Sequence, residues 1–320
     1  MTFQTVTRQP ATQRPAGFTL IELMIVILII AILVGLIVPT TIAVLHSARV
    51  ASAKSEMAGI ETGIATFKSE FGKIPPSFIS FVPTAAGALP SPTKATLRSM
   101  FPQISFSLTS DSDGDGTRDL VDDLTAAGLW GNEVYGPEAL VLFLGGVRKD
   151  TDGDGAITSA DRVELTGFSK NPARPFMQPS SASSTRLGPF TEFDTARLVD
   201  TGGATDVLEY LDKLPDQDEP LIYVSTAATG SYRASDAGLP DYDLPNDTPD
   251  AGPIPWTPYQ KSAGSFYNPT SYQLISPGSI DLGNGSKYGK GGVFNVDENV
   301  PAIADDADNL TNFYSGELGG

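Results

Sequence analysis

Between Phe18 and Leu45 the chain runs 28 residues with a single charge, Glu22. At about 1.5 Å per residue, roughly 20 of them cross a hydrocarbon core of about 30 Å. The run is longer than the apolar region of about 7–15 residues in a secretory signal. The only charges ahead of it are Arg8 and Arg14, which predicts a cytoplasmic N-terminus with everything after Leu45 outside. Beyond the run the pattern narrows to a stripe. Val50, Ala53, Met57, Ile60, Ile64, Phe67 and Phe71 recur at alternating steps of three and four, with Lys54, Glu56, Glu61, Lys68 and Glu70 off it. This is the period of one helical face laid on a globular domain. Gly72 and the Pro75-Pro76 pair end it. A single helix over 18–71 is expected, about 80 Å long, with a membrane half at 18–45 and an amphipathic half reaching 74.

Further along, Pro137, Glu138 and "ALVLFLGG" predict a short buried helix stopped by Gly145-Gly146. Alternation and turn residues mark three strands, Pro220–Ser225, Ser271–Ser276 and Gly291–Val296, of a small antiparallel sheet. The stretch 226–270 reads as a long loop whose Trp256 tucks part of it onto that sheet. The expected class is α+β. Its parts are a leader at 1–17, the two helix halves, a helical insertion at 75–215, and a β region at 216–320.

Composition changes the picture in two ways. The net charge of −17 argues against nucleic acid or anionic lipid headgroups as partners and favours cations. With no Cys, disulfide scaffolds, Cys-ligated zinc and thiol chemistry are excluded. The one histidine, His46, leaves no Ser/His or His/Glu constellation, so no enzyme is expected.

An ionised carboxylate in a bilayer costs at least a few kcal/mol and calls for a partner. The residues around it, "RPAGFTLIEL", closely resemble the signature of the type IV prepilin and pseudopilin family: a basic leader, then Gly, then Phe-Thr-Leu-Ile-Glu. The resemblance implies cleavage after Gly17 by a prepilin peptidase, methylation of the new amine of Phe18, and a Glu at the fifth mature position, here Glu22. Pro39 falls where many family members carry a helix-weakening proline. The new amine is the counter-charge that Glu22 needs. Phe18 and Glu22 at i and i+4 permit pairing within one helix, and the family favours pairing between neighbouring subunits of a staggered filament.

Two further stretches carry inorganic chemistry. "DSDGDGTRDLVD", Asp111 to Asp122, and "DTDGDGAITSAD", Asp150 to Asp161, both match the 12-residue EF-hand loop, with oxygen ligands at positions 1, 3, 5, 7, 9 and 12 and Gly at 6. The first set is Asp111, Asp113, Asp115, the Thr117 carbonyl, Asp119 and Asp122. The second is Asp150, Asp152, Asp154, the Ala156 carbonyl, Thr158 and Asp161, with Ile157 as the apolar residue at position 8. Both close on Asp rather than a bidentate Glu, and in this they resemble dockerin-type loops. The alternative is an Asp/Gly-rich turn without metal. Against it, residues 111–161 carry 12 acidic and 3 basic side chains, a density that a cation relieves. Calcium is therefore the expected cofactor. A third stretch beginning at Asp200 has Gly202, Ala204 and Leu211 where ligands belong, and reads as non-binding.

The C-terminal "YQLISPGS…GKGG…DDADNLTNF" resembles the end of major pseudopilins of type II secretion, which hold one calcium there. Carried over, that site comprises the Leu274 carbonyl, Ser276, Asp306 and Asp308. The resemblance to pilins, which covers 14–76, 215–225 and 271–313, implies a pilin-like fold and an inner-membrane single-pass protein whose C-terminal domain is periplasmic or extracellular. The calcium-binding helical insertion between rests on the loop motifs alone. The resemblance also implies a filament subunit of a type II secretion pseudopilus or type IV pilus. The partners are then copies of itself, the prepilin peptidase, an inner-membrane platform and ATPase, and minor pseudopilins. The alternative is a minor or adhesive pilin that binds a partner through its variable loops.

Overall fold

The computed structural model describes residues 18–107, 119–153, 157, 161–179, 185–200, 207–214, 219–227, 230–237, 256–278, 291–295, 300–301 and 308–318. The chain divides into two units, Met1–Arg49 and Val50–Gly320.

In the first unit the described residues are Phe18, Thr19 and the start of helix α1 (Leu20–Phe71). Its apolar side chains are exposed from Leu20 through Val38, as a helix without its membrane or filament surroundings must be. Pro39 lies within the helix and removes one backbone donor. The hydroxyls of Thr40 and Thr41 donate to the Ile37 carbonyl at 2.8 and 2.9 Å, supplying local side-chain bonds around that interruption.

In the second unit the stripe read from the sequence is the buried face of α1. Ala53, Met57, Ile60, Ile64 and Phe67 are all at most 3 % exposed, and Val50 and Phe71 pack on the same cluster. Gly63 adds to this face for lack of a side chain: a Cβ there would stand 1.7 Å from Thr191 Oγ1 and 3.1 Å from the Phe190 carbonyl. The helix ends at Gly72, whose φ of +71° is the left-handed conformation a C-terminal cap requires. Pro75 is then tied down, because its carbonyl accepts from Tyr223 Oη and Ser225 Oγ, each at 2.8 Å.

Helix α2 (Ser91–Met100) and the short α3 (Asp119–Thr125) follow, then α4 (Gly136–Gly145). As expected, α4 carries Pro137 in its first turn and ends at Gly145, with Gly146 as its cap. Its Glu138 caps the first turn by accepting from Tyr135 N–H at 3.0 Å. Every residue of α4 is buried. It packs on the strands Glu209–Tyr210 and Ile222–Ser225, and Phe143 meets Phe67 of α1 at 6.0 Å between ring centroids. One apolar cluster therefore joins α1, α2 and α4 to Tyr223, Leu274 and Leu310.

Two of the expected strands pair as anticipated. Tyr272–Ser276 runs antiparallel to Ile222–Ser225, with Gln273 opposite Val224, and Leu310–Thr311 flanks it on the other side. Alternate residues of this three-stranded sheet point into two different cores. Tyr223 and Leu274 face the helices, while Ile222, Val224 and Ile275 face a second cluster built on Trp256, Tyr259, Tyr267 and Phe294. A sheet covered on both faces needs apolar residues at every position, which explains the unbroken "LIYV".

The third expected strand differs. Gly291–Asn295 belongs to a separate four-stranded sheet, where it runs parallel to Thr257–Ser262. The chain between them passes through two other strands and returns in the same direction, so the pair is not a hairpin. The long-loop expectation also fails over 256–270, which holds the strands Thr257–Ser262 and Ser265–Phe266. Trp256 is buried, as expected.

Candidate functional site

The first turn of α1 shows what surrounds the lone acid of the apolar run. Thr19 precedes the helix and Glu22 stands three residues on, the T-x-x-E spacing of a capping box. The Thr19 N–H and hydroxyl each donate to Glu22 Oε2 at 2.8 Å, and the Glu22 N–H donates back to Thr19 Oγ1 at 3.3 Å. The carboxylate thus sits at the positive end of the helix dipole, and none of these bonds uses Oε1. Phe18 is 78 % exposed; Gly17 lies outside the described residues. The stretch Leu20–Val38, with mean hydropathy 3.3, is long and apolar enough to cross a membrane. Thr19 escaped the sequence reading, although a threonine three residues before a glutamate, ahead of an apolar run, is a recognisable signal.

Of the second acidic loop, Asp150, Asp152 and Asp161 come together, with one carboxylate oxygen from each lying within 4.8 Å of the others. These are positions 1, 3 and 12 of the motif, so the two ends of the loop meet. The loop closes through Asp161, which is only 6 % exposed. Its Oδ1 accepts from Thr151 N–H at 2.6 Å, Thr151 Oγ1 at 3.0 Å and Asp152 N–H at 3.3 Å. Asp150 Oδ1 accepts from Gly153 N–H at 2.6 Å, and Ile157 at position 8 is buried. Asp154, Ala156 and Thr158 lie outside the described residues. Three converging carboxylates form a hard oxygen donor set, which suits calcium and not a soft thiophilic metal.

Of the first loop, Asp111, Asp113, Asp115 and Thr117 lie outside the described residues, while Asp119 and Asp122 fall in α3. A segment that sequence reasoning passed over ties α3 to the start of the second loop. Arg174 makes a two-pronged pair with Asp123 of α3, at 3.0 and 2.8 Å. Gln178 Nε2 donates to the carbonyls of Ala126, just after α3, and Arg148, just before Asp150, at 2.5 and 2.9 Å. Its Oε1 accepts from Asp150 N–H at 3.3 Å.

At the C-terminal site the Leu274 carbonyl accepts from Asn312 N–H at 3.1 Å, and Asp306 lies outside the described residues. The Asp308 carboxylate lies against Gly278, where a Cβ would meet its Cγ at 2.5 Å. Ser276 Oγ donates to Asp212, a residue absent from the sequence-derived set. Asp212 is 4 % exposed. Burial pushes its carboxyl up, against the pull of the Ser276, Leu214 and Lys213 bonds and of Arg197.

A family model described as the prokaryotic N-terminal methylation motif matches residues 13–38. The N-terminus is of the prepilin type. The match takes in Gly17, Phe18, Thr19 and Glu22, and its C-terminal end coincides with that of the apolar span. Prepilin-type segments are processed by prepilin peptidase and belong to structural subunits. Together with the apolar helix, this one supports a single-pass inner-membrane anchor. No curated protein and no solved structure matches the chain.

Proposed function

We propose that this protein is a structural subunit of a type II secretion pseudopilus or related type IV pilus-like filament, extracted from the inner membrane by a platform and ATPase. The observation that carries this reading is the prepilin-type segment with its Glu22 carboxylate held at the helix start. Cleavage after Gly17 frees an amine on Phe18. Thr19 engages Oε2 of Glu22, and Oε1 is available to the amine of a neighbouring copy. A charge pair surrounded by hydrocarbon is strong because little water competes, so one acid per subunit sets the axial register.

The same reading gives calcium a structural part. Asp150, Asp152 and Asp161, with Asp154, Thr158 and the Ala156 carbonyl, would hold one ion, and the Asp111–Asp122 loop a second. A preformed site absent from the unfolded chain stabilises the folded head when filled.

Two experiments test the function. Glu22→Ala should leave membrane insertion intact and abolish filaments, so normal filaments would refute the register role. Mass spectrometry of the native protein should find it begun at an N-methylated Phe18. Recovery with Met1 and both leader arginines attached would refute the subunit reading altogether.

A further inference from the structure

A pocket of about 350 Å³ opens beside α2, lined by Phe78, Thr93, Ala95, Thr96, Arg233 and Asp236 among others. Its polar groups are unevenly provided for. Asp236 lies in the short turn Ala234–Ala237 and is 3 % exposed. Its Oδ2 accepts from Ser77 Oγ at a long 3.3 Å, a hydroxyl shared with the Ser225 carbonyl at the same distance. The exposed Ser235 is the other side-chain donor to this carboxylate among the described residues. A buried carboxylate ordinarily takes several strong donors or a cation. Burial accordingly pushes the Asp236 carboxyl up, with Ser77, Arg233 and Ser235 pulling the other way.

Arg233 is exposed on the same pocket, three residues before Asp236. Among the described residues it makes no ion pair within 4 Å. Two opposite charges therefore line one small cavity, close enough to feel each other's field but not joined in a direct ion pair. Phe78, Ile79 and Ala95 supply apolar lining to the same cavity. Thr93 spends its hydroxyl on the Ser80 carbonyl at 2.7 Å.

We propose that this pocket binds a zwitterion of the amino-acid class, a free amino acid or short unblocked peptide, with its ammonium on Asp236 and its carboxylate on Arg233. The volume is at the small end of ligand sites, which suits such a molecule. The apolar wall favours an aliphatic or aromatic side chain. A cation alone would leave Arg233 unanswered, and an anion alone would leave Asp236 so.

The test titrates the full chain in detergent with L-leucine, L-phenylalanine and L-alanyl-L-phenylalanine, followed by calorimetry and ligand-observed NMR. At least one should bind saturably in the millimolar range or tighter. Its N-acetyl and C-amide derivatives should each bind about tenfold more weakly or worse, since each loses one charge-assisted contact. Arg233→Gln, at an exposed position, should make the amide and the free acid bind alike. Ala95→Phe fills the pocket from an exposed helix position and should abolish binding with the circular dichroism unchanged. The proposal is overturned if none of the three compounds saturates, if the blocked forms bind as well as the free ones, or if Ala95→Phe binds normally.

Discussion

Asp161→Ala separates two contributions that the acidic loop combines. Without metal, the three carboxylate oxygens within 4.8 Å of one another repel. In a water-like dielectric this costs roughly 1 kcal/mol per pair, so removing Asp161 relieves about 2 kcal/mol. The same substitution deprives Thr151 N–H, Thr151 Oγ1 and Asp152 N–H of their acceptor, a loss of about 2–3 kcal/mol for charge-assisted bonds at a buried residue. In chelator the two nearly cancel, and the variant should melt close to wild type. Calcium changes the balance. At a dissociation constant of about 10⁻⁴ M, millimolar calcium stabilises wild type by about 1.4 kcal/mol. For a unit of this size that is about 3–5 °C in Tm. Asp161→Ala should lose that increment, while Asp161→Asn keeps an acceptor for the loop and should match or exceed wild type in chelator. The assay is thermal unfolding of residues 50–320 in calcium and in chelator for all three chains. A wild-type Tm indifferent to calcium, or an Asp161→Ala chain that keeps the full shift, refutes the metal reading.

Other substitutions test other parts of the fold. Gly63→Ala should cost about 1–3 kcal/mol by overpacking, and Thr191→Ala in the same chain should recover much of it by removing the hydroxyl that stands 1.7 Å from the new Cβ; denaturant titration measures both. Lys54 Nζ donates to the Thr311 and Tyr314 carbonyls at 2.6 and 2.5 Å, and burial lowers its pKa to about 8, opposed by Glu61. An unfolded lysine binds more protons between pH 8 and 10.5 than this one, so stability should rise with pH across that window. The gain is on the order of 1 kcal/mol after solvent screening, further reduced by the two carbonyls that favour the ammonium; Lys54→Met should flatten it in urea melts taken from pH 7.5 to 10. Thr19→Ala should weaken the α1 cap by about 1 kcal/mol and lower filament yield with insertion unchanged. Thr19→Ser should restore yield; equal yields from all three chains would show that the cap plays no part.

Long-range periodicity made α1 legible from end to end, because seven stripe positions and a Gly-Pro-Pro stop all agree. The short α4 was legible for the same reason, with Pro137 and Gly145-Gly146 at its ends. Helix α2 was not. Its "SPTKATLRSM" buries only Thr93, Leu97 and Met100, a face too thin to stand out from a Ser/Pro-rich loop. The strand Thr257–Ser262 starts "TPYQ" and ends exposed, so alternation fades where it would have been read. In the second acidic loop Asp150, Asp152 and Asp161 come together at positions 1, 3 and 12 of a motif that is local in sequence. Asp212 on Ser276 and Gln178 on Arg148 span 64 and 30 residues, and pairings at that distance leave no trace in either neighbourhood. The parallel strand pair was hidden likewise, for alternation gives a strand's faces and not its direction.

The strand Ile222–Ser225 contributes to two hydrophobic clusters at once, its odd and even side chains on opposite sides. Neither cluster can melt while leaving the other whole, because opening either strips one face of the same backbone. Amide protons of 222–225 and 272–276 should therefore exchange only through complete unfolding, and an injury to the aromatic side, at Tyr267 or Phe294, should loosen the helical side equally.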